Sequence, residues 1–163
     1  MPNILILTAS PIKDGSTEIL LREIGRGVSE AAGTADPISE QLVYLNEFKG
    51  LPCQACGKSP EPDFCFYRDD IYPLYDRLIN CDIVLFGSPV YFDTVSAQAK
   101  IFIDRCNCLR PPDFNKTEGS LFRKIISRKR WGGIVLVGGE REYFECASKV
   151  IAGFFKWVEI ENI

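Results

Sequence analysis

The chain has 163 residues, 46% of them hydrophobic, which suits one domain with a packed core. A formal net charge of −3 gives no global pull towards nucleic acid or an anionic membrane. The complete absence of histidine excludes Ser-His and Cys-His nucleophiles, histidine bases and histidine-ligated metals.

The predicted elements begin at once. Asn3 to Thr8 is a short, nearly continuous apolar run, the pattern of a strand buried on both faces of a parallel sheet. Met1-Pro2 leads straight into it, with no basic region and cleavage site of a signal peptide. Ala9 to Gly15 is a loop, and Ser16 is placed to cap a helix running to about Ala32. Leu21, Ile24, Val28 and Ala31 fall on one face of that helix, Leu20 widens it, and Gly33 is a natural stop. Gln41 to Leu45 reads as a second strand. From Asn46 to Asp69 the pattern breaks into a long insert loop with Pro52, Pro60, Pro62 and the cysteines Cys53, Cys56 and Cys65.

Asp70 to Ile79 reads as a helix with Leu74, Leu78 and Ile79 inward and Pro73 in its first turn. Asp82 to Gly87 is a third strand, and Val95 to Arg105 a helix with Val95, Ala99, Phe102 and Ile103 on one face. Leu109 to Lys116 is a Pro-containing loop, and Gly133 to Gly138 a fourth buried strand. Tyr143 to Phe155 is helical, and Val158 to Ile163 a fifth strand. No apolar run approaches the roughly 18 residues of a membrane-spanning helix. No repeat or linker interrupts the chain, so 1–163 is expected to be a single domain.

Strands alternating with helices imply a doubly wound parallel sheet. Ligands in such sheets sit beyond the carboxyl ends of the strands, at the switch point. Three loops qualify. The first, Ser10 to Thr17, joins a strand to a helix whose N-terminal N–H groups and dipole suit a phosphate, with hydroxyls at Ser10, Ser16 and Thr17. It carries neither a P-loop nor a dinucleotide glycine pattern, so it suits a singly phosphorylated ligand, or a capped turn that binds nothing. The second, Gly87 to Ala97, holds Pro89, Val90, Tyr91 and Phe92, apolar groups that a flat ring, the core or a subunit interface would cover. The third begins Gly138-Gly139-Glu140-Arg141-Glu142, where paired glycines permit close backbone approach.

These residues carry a resemblance. Ser10-Pro11 through Ser16-Thr17-Glu18-Ile19-Leu20, Cys53-x-x-Cys56, Asp69-Asp70, and Phe86-Gly-Ser-Pro-Val-Tyr91 through Ser96-Ala-Gln-x-Lys100-x-x-x-Asp104-Arg105 resemble the NADPH-dependent FMN reductase family, within it the iron–sulfur flavoprotein branch. The resemblance reaches about Phe155 and is most specific in the Gly-Ser-Pro-Val-Tyr stretch and its helix. It implies a flavodoxin-like fold of five parallel strands in the order 2-1-3-4-5. It implies FMN, with its phosphate on Ser10, Ile12, Ser16, Thr17 and Glu18, the contacts at Ile12 and Glu18 through backbone. The ring would lie against Pro89, Val90, Tyr91, Phe92 and Asp93, near Gly138 and Gly139.

The chain departs from the family pattern in three places. Ser59 stands where the third of four compact cysteines would be. Three thiolates from Cys53, Cys56 and Cys65 are one short of an iron–sulfur cluster, so flavin without a cluster is expected. A zinc site on three cysteines is disfavoured too. Glu140, Arg141 and Glu142 narrow the third loop. The chain stops at Ile163, where the family completes the fifth strand and adds a final helix. An edge left without cover favours self-association, and the resemblance implies a homodimer or homotetramer.

Other features have plainer readings. The seven cysteines are odd in number and unevenly spaced, which suits reduced thiols in a cytoplasm. The basic cluster Arg123, Lys124, Arg128, Lys129 and Arg130 reads as a solvated face more than as a site for the extra phosphate of NADPH. Cys81, Trp131 and Trp157 read as packing residues. Cys106 and Cys108 lie beyond a helix end, with no mechanical meaning in their spacing. The function expected from all this is an FMN-dependent oxidoreductase. It would take reducing equivalents from a nicotinamide, NADPH, to a quinone, flavin or other small acceptor, with no catalytic side chain required. The alternatives are a flavodoxin-like or iron–sulfur flavoprotein electron carrier serving protein partners, and a domain that has lost flavin.

Overall fold

The computed structural model describes residues 3–33, 38–56, 64–109, 129–140 and 143–163. Its elements, in chain order, are β1 (Asn3–Thr8), α1 (Ser16–Ala32), β2 (Ser39–Tyr44), α2 (Tyr72–Asn80), β3 (Ile83–Tyr91), β4 (Thr94–Val95), α3 (Ala97–Arg105), β5 (Trp131–Val137), α4 (Phe144–Trp157) and β6 (Glu161–Asn162). The sheet order is β2-β1-β3-β5-β6, with all four neighbouring pairs parallel. With the small hairpin strand β4 set aside, this is the expected 2-1-3-4-5 order of a flavodoxin-like sheet.

Alternation along the strands divides the core. Leu5, Leu7, Val84 and Phe86 pack with α2, α3 and α4 on one face. Ile4, Ile6, Leu85 and Val135 pack with Leu21 of α1 on the other. Phe86, Phe102 and Phe154 form an aromatic knot on the first face, with centroids 5.9–6.2 Å apart.

Several sequence expectations shift. Gly15, rather than Ser16, is the N-cap of α1, and no side chain caps it. The inner stripe of α1 is Thr17, Glu18, Leu21 and Gly25, with Val28 half-buried, while Leu20, Ile24 and Ala31 are exposed. Glycine at 25 lets the helix settle on Ile6, whose Cδ1 would lie 3.1 Å from an added Cβ, and this rotates the buried face.

The stretch Gly87 to Tyr91, expected as a loop, continues strand β3. β5 runs alongside it as far as Pro89↔Val137, whereas β1 pairing ends at Thr8↔Gly87. Pro89 therefore sits where one side of the strand is already an edge, the place a sheet tolerates a missing N–H. The chain then turns at Phe92-Asp93, both at positive φ (51° and 62°), and returns as β4. Val95 thus lies in β4, and α3 starts after Ser96.

The fifth parallel strand is only two residues long. Val158 N donates to Phe154 O, closing α4, and Glu159 turns through a left-handed conformation (φ 57°) before the chain extends. Trp131 and Trp157 are 40% and 37% exposed, so neither is a full packing residue. Cys81 is buried as expected.

Arg130 overturns the solvated-face reading at its position. Among the described residues it is the bulkiest fully buried side chain, and it donates to Leu78 O near the end of α2 (2.6 Å) and to Val158 O at the end of α4. A cation placed on helix C-terminal carbonyls is favourable. Lys129 is exposed and pairs with Glu161 at 3.3 Å. Arg123, Lys124 and Arg128 lie outside the described residues.

Gly87 connects this fold to the site. A Cβ there would lie 2.5 Å from Leu21 Cδ1 and 2.8 Å from Thr17 Cγ2, so the start of α1 rests directly on the strand backbone. Gly87→Ala is expected to destabilise the protein by about 1–3 kcal/mol through overpacking, read by urea unfolding. An unfolding midpoint equal to wild type would refute the close approach.

Candidate functional site

β1, β3 and β5 are neighbours, so the segments following them emerge side by side at one edge of the sheet. Two serines fasten the first pair. Ser96 Oγ donates to Ala9 O (2.9 Å) and accepts from Ala99 N (3.3 Å), capping α3. Ser88 Oγ accepts from Ser96 N (2.9 Å) and donates to Pro89 O (2.8 Å). Ala9 N donates to Gly87 O (2.8 Å), carrying the ladder one residue past β1. All these polar side chains are buried and bonded, so the edge is rigid where the two loops meet.

The Ser10 to Thr17 loop has the form of an anion cradle. Ser10 Oγ accepts from Ile12 N (3.2 Å), forming a tight turn. Ile19 N bonds Gly15 O (3.0 Å), closing the first helical turn. The N–H groups of Ser16, Thr17 and Glu18 have no carbonyl partner within the helix, and the N-cap supplies no side-chain acceptor. A phosphate fits that donor set and the positive end of a 17-residue helix dipole. Thr17 is buried with its methyl against Gly87, while Ser16 is exposed at the mouth. Ile12 is 65% exposed, which leaves its backbone as the polar feature at that position.

Glu18 has a role its sequence position does not advertise. Its side chain is fully buried, and its carboxylate accepts from Asp14 N (2.8 Å), Arg22 Nε (2.8 Å) and the Tyr44 hydroxyl (2.7 Å). Burial pushes the carboxyl up, but the Tyr44, Asp14 and Arg22 donors outweigh it and hold it below the ordinary glutamate value. Asp14 is at φ 54°, a conformation that costs a non-glycine residue energy. The Glu18 carboxylate on its N–H holds it there. Lys13 adds an outer tie, ion-paired with Glu47 and 4.9 Å from the Tyr44 ring centroid. Glu18 and Arg22, four apart on a helix, could have been paired from sequence. Tyr44 could not, because it arrives on β2.

The ring-side residues are placed less uniformly than expected. Pro89 and Val90 are buried, Val90 in the core, so each can meet a ligand through backbone alone. Tyr91 is 45% and Phe92 98% exposed at the hairpin tip. Asp93 Oδ1 accepts from Tyr143 N (2.8 Å) and is thereby committed to the start of α4. Gly138, Gly139 and Glu140 are exposed just beyond β5, on the same edge. Arg141 and Glu142 lie outside the described residues.

The cysteine segment is built around a cation. Arg105, its side chain 1% exposed, makes a bidentate pair with Asp69 (2.5 and 3.0 Å) and donates to Leu51 O (2.8 Å) and Cys65 Sγ (3.6 Å). Cys53 is half-buried and Cys56 exposed, and Ser59 lies outside the described residues. Among the described residues no group of three or more Cys, Asp or Glu is gathered to hold a metal. Cys65 spends its sulfur on a guanidinium, so these residues do not fit a four-thiolate cluster. Burial and the neighbouring Cys65 push the Cys108 thiol up to about 12, and burial raises Cys106 well above the ordinary value. Such thiols stay protonated and inert at neutral pH. No described helix is long and apolar enough to cross a membrane.

Comparison with known proteins agrees with this geometry. The family model described as NADPH-dependent FMN reductase matches residues 2–160. An iron–sulfur flavoprotein of Methanocaldococcus jannaschii is 31% identical over 135 residues, covering 83% of this chain and 61% of that protein. An iron–sulfur flavoprotein of Methanosarcina thermophila is 29% identical over 121 residues, covering 74% and 56%. The chain thus spans somewhat over half the length of these relatives. Among solved structures, a flavone reductase superposes with a TM-score of 0.72 at 14% identity, over 99% of this chain and 51% of that one, which shows a shared fold.

Proposed function

The chain belongs to the NADPH-dependent FMN reductase family, and from that premise we propose that it is an FMN-binding oxidoreductase domain working at the β1–β3–β5 edge. It takes reducing equivalents from a nicotinamide, NADPH, and delivers them to a small acceptor such as a quinone or free flavin. The observation that carries this reading is the uncapped N-terminus of α1, held beside the aromatic β3–β4 hairpin by Ser96. FMN supplies the hydride and electron chemistry when bound. The chain's part is to bind, orient and exclude water. Ser10, Ile12, Ser16, Thr17 and Glu18 offer the phosphate backbone N–H groups and hydroxyls. Pro89 to Asp93 and Gly138-Gly139 flank the ring, with Tyr91 and Phe92 as its aromatic border. No acid or base among the side chains is needed for hydride transfer, which suits a chain without histidine.

The cofactor set is FMN with NADPH as co-substrate, without an iron–sulfur cluster, in a single domain of 1–163. Self-association as a homodimer or homotetramer is supported by an open apolar strip. Leu20 and Ile24 of α1 are 46% and 42% exposed, on the flank away from Arg22 and Ser29, which lean on β2. On the sheet face that α1 covers, Ile83 and Val137 are only partly buried. An odd number of unevenly spaced cysteines, seven in all, favours a cytoplasmic setting.

The test is FMN titration of the purified protein followed by steady-state NADPH oxidation with a quinone. Stoichiometric uptake with two visible flavin bands and turnover is expected. Uptake without turnover would point to an electron carrier serving protein partners. A colourless protein that takes up no FMN would end the flavin reading.

A further inference from the structure

Two consecutive non-glycine residues, Phe92 and Asp93, hold positive φ at the β3–β4 turn. Each such residue costs free energy and persists only where its surroundings compel it. What compels Asp93 is visible. Its Oδ1 accepts from Tyr143 N at 2.8 Å, 50 residues away, at the residue that precedes α4. No side chain caps α4 from within its own N-cap residue, so a carboxylate brought from another element stands at the positive end of that helix dipole. The bond joins the turn after β3 to the segment after β5. Ser96 already joins the turn's returning strand to the loop after β1. The three segments around the ring site are therefore laced by two side chains, Ser96 on one side of the hairpin and Asp93 on the other.

The residues that this second lacing positions are exposed aromatics. Phe92 is 98% exposed, Tyr143 74% and Phe144 41%, which is unusual for groups of that size unless something covers them in use. They stand on the two segments that the Asp93 bond holds together. We propose that Asp93 is a positioning residue that fixes the mouth of the ring site by tying the start of α4 to the β3–β4 turn, and so sets the fit of a planar aromatic acceptor between Phe92 and Tyr143. This inference rests on the functional reading above, and it assigns the Asp93 side chain to α4, leaving its backbone to flank the ring.

Asp93→Gly separates the side chain from the backbone, since glycine accepts φ 62° without strain. Asp93→Asn keeps an acceptor oxygen and is the conservative control. In D93G, amide exchange at Tyr143, followed by NMR on the apo protein, is expected to rise about tenfold or more, the scale of one charge-assisted hydrogen bond. In the FMN-loaded protein the KM for a quinone is expected to rise several-fold with kcat nearly unchanged, the mark of lost ground-state fit. D93N should return both values most of the way to wild type. Unchanged exchange at Tyr143 in D93G would overturn the proposal, and so would faster exchange with an unchanged quinone KM. Wild-type protein that takes up no FMN would remove the functional reading and this inference with it, whereas wild-type uptake with an unaltered D93G profile would remove only the latch.

Discussion

Glu18→Ala is expected to weaken FMN binding by about 10–100-fold while leaving the sheet folded. The substitution removes the acceptor for Asp14 N, Arg22 Nε and the Tyr44 hydroxyl together. Hydrogen bonds to a charged group contribute roughly 1.5–3 kcal/mol each, and the donors left behind add a desolvation cost. The Asp14 N–H then has no reason to hold φ 54°, and the loop loses its preset form. Ordering it becomes a cost of binding, and affinity falls. Isothermal titration of apo protein with FMN reads the effect directly. An affinity equal to wild type would show that the loop is set without the carboxylate.

The same group predicts a pH dependence. The Glu18 carboxyl lies below its ordinary value in the folded state. Its unfolded form therefore binds protons at higher pH than its folded form, and stability rises with pH across that interval. The contribution is fully present above the ordinary glutamate range and is lost as pH falls through the depressed folded value. The urea stability of the apo protein should hold from neutrality down to the ordinary glutamate range and decline from there to the lowered folded value. Glu18→Gln should remove that decline.

Arg105→Ala should cost the most stability, about 3–5 kcal/mol, because it leaves Asp69 half of a broken, largely buried ion pair. It also strips donors from Leu51 O and Cys65 Sγ, releasing both flanks of the cysteine segment from α3. Urea unfolding should show a much lower midpoint. Asp69 is held below the ordinary aspartate value, since Arg105 and the Leu51 and Ile71 N–H groups outweigh burial. The pair's contribution is thus intact at neutral pH and lost as acid titrates Asp69 through its lowered folded value. The double variant Arg105→Met, Asp69→Leu should recover part of the loss, because replacing both partners removes the stranded charge. A single variant as stable as wild type would mean that the segment is held by other contacts.

Much of this architecture was legible beforehand. Apolar runs at Asn3–Thr8, Asp82–Gly87 and Gly133–Gly138 mark buried parallel strands, because a strand covered on both faces needs no polar alternation. The strand-loop-helix succession at Ser10–Thr17 marks an anion cradle, because a helix N-terminus offers unpaired N–H groups wherever it occurs. The length of β3 was not legible. Pro89 reads locally as a strand breaker, and only the early end of β1 supplies the open edge that tolerates it. The inner face of α1 departs from its hydrophobic pattern for a similar reason. Hydrophobicity selects Leu20, Ile24 and Ala31, but close approach at Gly25 and Gly87 rotates the helix onto Thr17, Glu18 and Leu21.

By itself, the sequence determined the class of fold and the order of its main elements, and it singled out the two loops proposed to meet a phosphate and a ring. These follow from local periodicity and breaker residues, both readable over short spans. The tertiary structure decided which polar groups are spoken for. Glu18 is committed to Asp14 and Tyr44, Ser96 to Ala9, Asp93 to Tyr143, Arg105 to Asp69 and Cys65, and Arg130 to two helix ends. Each of these sets includes a partner 26 or more residues away. A buried polar atom must find a partner, and which partner is within reach depends on how whole elements pack, which no short stretch of chain encodes.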